Sequence, residues 1–202
     1  MRHLAALLLL LMGCGAAAPR PADAPPAPAP RAEWLRMFAR GDVPGRSGQV
    51  FLVAREGDIL TTSDPHHRYM HGSPWDDDAR LPLLLHGAPF IRPGRYAGSA
   101  CQQDIAPTLA ALLGATLPTA TGHVLDEALV AGAGRPRVAV VLVADGLRAD
   151  ALDRHAEVVP TLTRLRAEGA WFPDARIDVL PTLTAVGHAN IGTGTEPRFH
   201  GI

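Results

Sequence analysis

The chain has 202 residues, with 19 lysines and arginines against 20 aspartates and glutamates, a net charge of −1. With no basic excess or stripe, nucleic acid is not an expected partner. Two cysteines, Cys14 and Cys101, exclude a disulfide framework, and the length beyond the leader suffices for one modest domain.

Arg2 and His3 precede an apolar run over 4–12, which ends in Gly13-Cys14-Gly15. A basic start, a short hydrophobic stretch and the Leu-Met-Gly-Cys ending read as a lipoprotein signal over 1–13, cut before Cys14. The run is too short to cross a hydrocarbon layer of ~30 Å as a helix. An ordinary signal peptide with an incidental cysteine is the alternative. Lipid on the Cys14 thiol would anchor the protein to a membrane after export. Gly15, rather than an aspartate, points to the outer membrane on the periplasmic side. Residues 14–32 are rich in Ala and Pro and read as a semi-extended tether. With Cys14 lipidated, Cys101 is left as a free thiol, expected to be buried.

Residues 32–40 predict a short amphipathic helix with Trp34, Leu35 and Phe38 on one side, followed by a loop over 41–48. Residues 49–54 (QVFLVA) read as a strand. The stretch 61–80 is polar and carries His66, His67 and His71, with His86 just beyond. The run Asp76-Asp77-Asp78 reads as a solvated acidic turn. Residues 81–85 predict an apolar strand, and 87–98 a loop punctuated by Gly and Pro. A helix starts at Asp104, with Pro107 in its first turn and Gly114 as its C-cap. Residues 124–130 predict a second short helix, and 131–136 (AGAGRP) a flexible joint.

Residues 138–144 (VAVVLVA) form a continuous apolar, β-branched run, the pattern of a strand buried on both faces in a parallel sheet. It ends in Asp145-Gly146-Leu147-Arg148. A carboxylate at such a strand end lies where open α/β sheets place ligands. A helix N-cap is the other reading of Asp145. A second β-type run, 175–180, leads through Pro181 to Thr184, where a helix of small residues begins. A hydroxyl there meets an anion well, because the first backbone N–H groups of a helix are unpaired; it would equally serve as an N-cap. Gly192, Gly194 and Gly201 mark a tight turn region.

AVVLVADGLRAD followed by PTLTAVGHANIGTGTEPRFHGI resembles the amino-terminal half of the alkaline phosphatase superfamily. The branch it is most similar to has a threonine nucleophile: the type I phosphodiesterase/nucleotide pyrophosphatase group and its threonine-type alkaline phosphatases. The resemblance implies a three-layer α/β/α fold with a mostly parallel central sheet, incomplete here. It implies that Asp145 is a zinc ligand and that Thr184 of the T-x-x-x-H run, with His188, is the nucleophile and a metal ligand. GRSGQVFLV, HGSPWDDDARLPLLLHG, DIAPTLAALLGATLP and GHVLDEAL resemble the carboxyl-terminal portion of the same superfamily, where His71 would be a zinc ligand. Tandem His66-His67 is a weaker metal candidate beside its reading as a polar loop. His188 and His200 read as packing or supporting residues before ligands. Arg148 reads as a surface arginine, with contact to a substrate phosphate as the alternative.

The two portions stand in reverse order, 33–130 before 137–202 with 131–136 between them. The D-x-x-x-H and D-H pairs that complete two zinc sites in the family are absent from these 202 residues. A truncated circular permutant and a degenerate tandem fusion both fit, the permutant better, since chain termini often lie close together. The expected activity is a metal-dependent phosphoric ester hydrolase with two Zn2+, acting on a small-molecule phosphate ester through a phosphothreonine. The 202 residues alone are expected to turn over little. Thr184 followed by Ala-Val-Gly, in place of a C/S-x-P-x-R run, argues against a sulfatase. The competing expectation is a catalytically inert lipoprotein.

Overall fold

A computed structural model describes residues 31–58 and 70–202. His66, His67 and the proposed lipid site Cys14 lie outside the described residues. Arg31–Ile202 form one compact unit.

Helix α1 (Arg31–Gly41) packs Met37, with Trp34 and Phe38, against Ala79 and Leu180. Leu35, expected on that packed side, is 57 % exposed. At about 100° per residue it points roughly a quarter turn away from the stripe that Trp34, Met37 and Phe38 make. Gly41 passes so near the chain at Leu180 that an added Cβ would lie 1.7 Å from its carbonyl oxygen. The acidic run forms a short helix, α2 (Asp76–Ala79), rather than a solvated turn. Asp76 pairs with Arg176 at 2.6 Å, and Asp78 accepts the Ser73 N–H at 2.9 Å.

Strand β1 (Leu83–Leu85) falls within the predicted 81–85. Strand β2 (Gly94–Arg95) lies in the stretch read as loop. Helix α3 (Ile105–Leu113) starts at Asp104 and ends at Gly114, whose φ of 72° is the left-handed cap the sequence signals. Of the helix predicted over 124–130, a single 3-10 turn forms, Asp126–Ala128. Its flanking backbone groups are taken by tertiary partners: Leu125 N–H donates to Thr108 Oγ1, Arg92 N–H to Ala128 O, and Val130 N–H to Phe90 O. Helices α4 (Ala151–Arg154) and α5 (Pro160–Glu168) lead to β3 (Ala170–Phe172). Helices α6 (Thr184–Thr193) and α7 (Pro197–His200) follow, capped by left-handed Gly194 and Gly201.

Among the described residues the sheet has three short strands in the order β1-β3-β2. β3 runs antiparallel to β1 (Leu84 opposite Trp171) and parallel to β2 (Gly94 opposite Ala170). This is a mixed sheet in an α/β unit, not the mostly parallel one expected. β3 comes from the later segment and inserts between two strands of the earlier one, so both segments share one core. That core gathers Leu83, Ile91, Ala100, Leu125, Ala128, Ala170, Phe172 and Ala175, and Tyr96 stacks on Phe172 with ring centroids 5.1 Å apart. Each large side chain fully buried there contributes about 1.5–3 kcal/mol.

Three predicted strands do not form ladders. Residues 138–144 form no strand, with Val138, Val140 and Leu142 at 74–85 % exposure instead of burial. Residues 49–54 are likewise without a ladder, and Val50 and Leu52 stand in solvent. The apolar pattern is there, but a strand exists only by virtue of a partner. No described segment lies in register beside either run. Residues 175–180 are buried at Ala175, Val179 and Leu180, yet pair only through bridges at Arg176 to Arg80 and Cys101. Cys101 itself is half-buried rather than fully buried, and burial together with Asp178 and Asp104 pushes its thiol well above the ordinary range.

Candidate active site

Three segments converge on one cavity of about 660 Å3, whose lining includes His71, Asp145 and Thr184. Thr184 is the first residue of α6, after Leu183 as N-cap. The first intrahelical bond is Gly187 N–H to Leu183 O at 2.8 Å, so the N–H groups before it have no acceptor within the helix. The Thr184 side chain is not spent on capping. Its hydroxyl donates to Asp145 Oδ2 at 2.9 Å and lies 3.4 Å from His71 Nε2. Asp145 sits on the turn that closes the unpaired run 138–144, with Gly146 at φ 71° allowing the reversal.

His71 is oriented by the backbone of the Thr184 segment. Its Nδ1 is 2.6 Å from Thr182 O, and a carbonyl can only accept, so Nδ1 carries the proton. Nε2 then presents a lone pair, which faces Asp145 Oδ1 at 3.9 Å. The Thr184 hydroxyl lies within reach of both, so the three groups offer a cation one carboxylate, one imidazole nitrogen and one hydroxyl oxygen. Thr182 Oγ1 also donates to Ser73 O at 3.2 Å, a second tie between the His71 segment and the approach to α6.

The donor set Asp145 carboxylate, Thr184 hydroxyl and His71 imidazole suits a divalent ion such as zinc, which takes oxygen and imidazole ligands. It fits one ion as a partial ligand set with positions left open. Among the described residues no group of three or more His, Cys, Asp or Glu side chains is placed to hold a metal ion; this site supplies two, with a hydroxyl beside them.

The structure thus brings Thr184, Asp145 and His71 together. His188 Nδ1 donates to Thr184 O at 2.9 Å within its own helix, and His200 Nε2 meets the side-chain amide of Asn190 at 2.9 Å. Burial holds the His200 imidazole below its ordinary value. Arg148 is half exposed and bonds Asp150 at 3.1 Å. It also approaches Asp77 at 3.8 Å, a partner the sequence reading did not foresee. Neither Asp77 nor Thr182 carries a motif that marks it; their partners lie far away along the chain.

A mixed α/β unit with a hydroxyl, a carboxylate and an imidazole meeting at the start of a helix is the class defined so far. Residues 139–202 match the type I phosphodiesterase / nucleotide pyrophosphatase family. Alkaline phosphatase PafA of Elizabethkingia meningoseptica is 39 % identical over 70 residues, which cover 34 % of this chain and 13 % of that protein. A calcium-transporting ATPase of Myroides odoratus is 40 % identical over 72 residues, again 34 % of this chain and 13 % of that protein. No solved structure matches. Over 139–202 the chain is thus similar to the type I phosphodiesterase / nucleotide pyrophosphatase family and, over a stretch of like length, to an alkaline phosphatase. The match spans 13 % of the length of each relative.

Proposed function

We propose that this protein is a metal-dependent phosphoric ester hydrolase that works through a phosphothreonine on Thr184. The observation that carries the reading is the 2.9 Å contact between Thr184 Oγ1 and Asp145 Oδ2, with His71 Nε2 at 3.4 Å, at the start of a helix. The family of the segment that supplies Thr184 and Asp145 points to the same chemistry.

Asp145, Thr184 and His71 would hold zinc, which supplies positive charge that lowers the pKa of the threonine hydroxyl. The remaining ligands of a two-zinc site are not found among the described residues. The Thr184 oxygen attacks phosphorus, and the hydroxyl proton passes toward the Asp145 carboxylate that already accepts its hydrogen bond. The P–O bond to the leaving group breaks, and the departing alkoxide takes a proton from solvent to become the alcohol. The free N–H groups at the start of α6 meet the charge that builds on the phosphoryl oxygens. Water then attacks the phosphothreonine, phosphate departs, and the hydroxyl is restored. His71, held in one tautomer by Thr182 O, keeps its lone pair directed into the site.

The substrate in this reading is a small phosphate ester, monoester or diester. The fold proposed for the complete protein is the three-layer α/β/α arrangement. The insertion of β3 between β1 and β2 supports reading the reversed segments as a permutation of one fold. We also propose export and a lipid anchor at Cys14, placing the site on the periplasmic side of the envelope. Membrane fractionation with and without Cys14→Ala tests it: release of the variant supports the anchor, and unchanged membrane association contradicts it.

The hydrolase reading is tested on the full-length gene product with p-nitrophenyl phosphate and its bis-ester. Turnover should need zinc, stop with a chelator, and be abolished by Thr184→Ala. Unchanged turnover in that variant removes Thr184 from its role. The inert reading is favoured by the donor count, three site residues with no further cluster among the described residues. It predicts no zinc-dependent turnover in any form of the protein.

A further inference from the structure

Asp145 is presented by a segment that has almost nothing holding it. Among the described residues no backbone hydrogen bond joins 138–146 to another part of the chain. The bonds around the turn, Leu147 N–H to Ala144 O and Ala151 N–H to Arg148 O, are local. Among the described residues the ties that place it run through side chains. Thr184 is one, through the 2.9 Å bond to Asp145. His71, 3.9 Å from Asp145 Oδ1, is a second, and Arg148, three residues further on, is a third.

Arg148 Nη1 reaches Asp77 Oδ2 at 3.8 Å, while its Nε bonds Asp150 at 3.1 Å on its own side of the turn. Asp77 belongs to α2, which is fixed from several directions. Asp78 accepts the Ser73 N–H, Asp76 pairs with Arg176, and Ala79 is fully buried. The same segment carries His71 and Ser73, which grip the residues just before Thr184 through Thr182. The 71–79 segment is thus a common base for His71 and Thr184, and Arg148 connects the Asp145 turn to it. Asp77 Oδ1 is buried without a hydrogen-bond partner. Burial and the neighbouring Asp78 raise its carboxyl, and the Arg148 charge opposes that rise. An acceptor in such a place gains from a cation close by.

We infer that Arg148 and Asp77 are positioning residues: their ion pair fixes the Asp145 turn against the base that carries His71 and sets Thr184. The consequence for catalysis rests on the hydrolase reading above; the placement of the turn does not.

The test is a double-mutant cycle on the full-length gene product with Asp77→Asn and Arg148→Gln. Each single change should lower kcat by roughly 10- to 100-fold, the cost of misplacing a reacting group by about 1 Å. KM and the melting temperature should move little. The double variant should be no worse than either single one, and Arg148→Lys should recover most of the rate. Exchange of the Leu147 amide, which donates to Ala144 O in the turn, read without substrate, should quicken in both single variants while exchange over α3 stays unchanged. Additive losses overturn the inference. So does a KM effect from Arg148→Gln with none from Asp77→Asn, which would make Arg148 a direct substrate contact. Unchanged exchange at Leu147 overturns it whatever the activity, and the Thr184→Ala control judges the hydrolase reading separately.

Discussion

Two parts of this molecule share the same kind of sequence and meet different fates. Residues 83–85 and 170–172 are apolar, paired and buried or half-buried, with Ala170 and Phe172 at 0 % exposure. Residues 138–143 are as apolar and richer in β-branched residues, yet Val140 is 85 % exposed. The difference is not propensity. β3 has a neighbour on each side, and its backbone groups are satisfied there. The 138–143 run has no neighbour among the described residues, so its side chains have nothing to pack on. The candidate site lies at the border between these two regimes. Thr184 and His71 stand on the packed side; Asp145 stands at the tip of the unpaired run. A carboxylate there is held by side-chain contacts, where a sheet would have held it by its ladder.

If that contrast is real, the packed side should be sensitive and the unpaired side tolerant. The largest effect is expected at Phe172, which is fully buried and stacked on Tyr96. Phe172→Ala should cost about 3–5 kcal/mol in urea unfolding. Gly169, where an added Cβ would sit 2.3 Å from Leu85 O, should also resist substitution. Gly169→Ala must push β1 and β3 apart, and should lower the melting temperature clearly. By contrast Val140→Ser and Leu142→Gln should change stability by no more than about 0.5 kcal/mol, as surface changes do. A large loss there would mean the run is buried in solution, and the contrast would fail.

The smallest expected effect is a pH dependence at His200. Burial lowers its pKa below the ordinary 6.5, so the folded protein takes this proton less readily than the unfolded chain. Stability should therefore rise with pH through the window just below 6.5 and fall on acidification. His200→Gln should flatten that slope in thermal melts taken across the window. A slope that stays the same would place the titrating group elsewhere.

The sequence was most legible where the signal is local. Asp104, Pro107 and Gly114 mark α3 from end to end, and the small-residue run after Leu183 marks α6. Pairing was not legible, because a continuous apolar run reads the same with a ladder partner or without one. Neither were the contacts that orient the site. His71 Nδ1 meets a main-chain oxygen at Thr182, and Asp77 meets Arg148, across long stretches of chain. The acidic run looked like a solvated turn because three adjacent aspartates carry no hint of the arginines that approach them. The juxtaposition of Asp145 and Thr184, by comparison, follows from motif residues alone, and the structure sets their side chains in direct contact.

The central claim concerns a covalent bond to Thr184, and the most direct measurement looks for it. The full-length gene product, loaded with zinc and turning over p-nitrophenyl phosphate, is quenched in acid, digested and examined by mass spectrometry. A phosphoryl group on Thr184, absent from the Thr184→Ala variant, is the result the account predicts. Steady turnover with Thr184 unmodified at every quench time, or with the phosphoryl group on another residue, would contradict it.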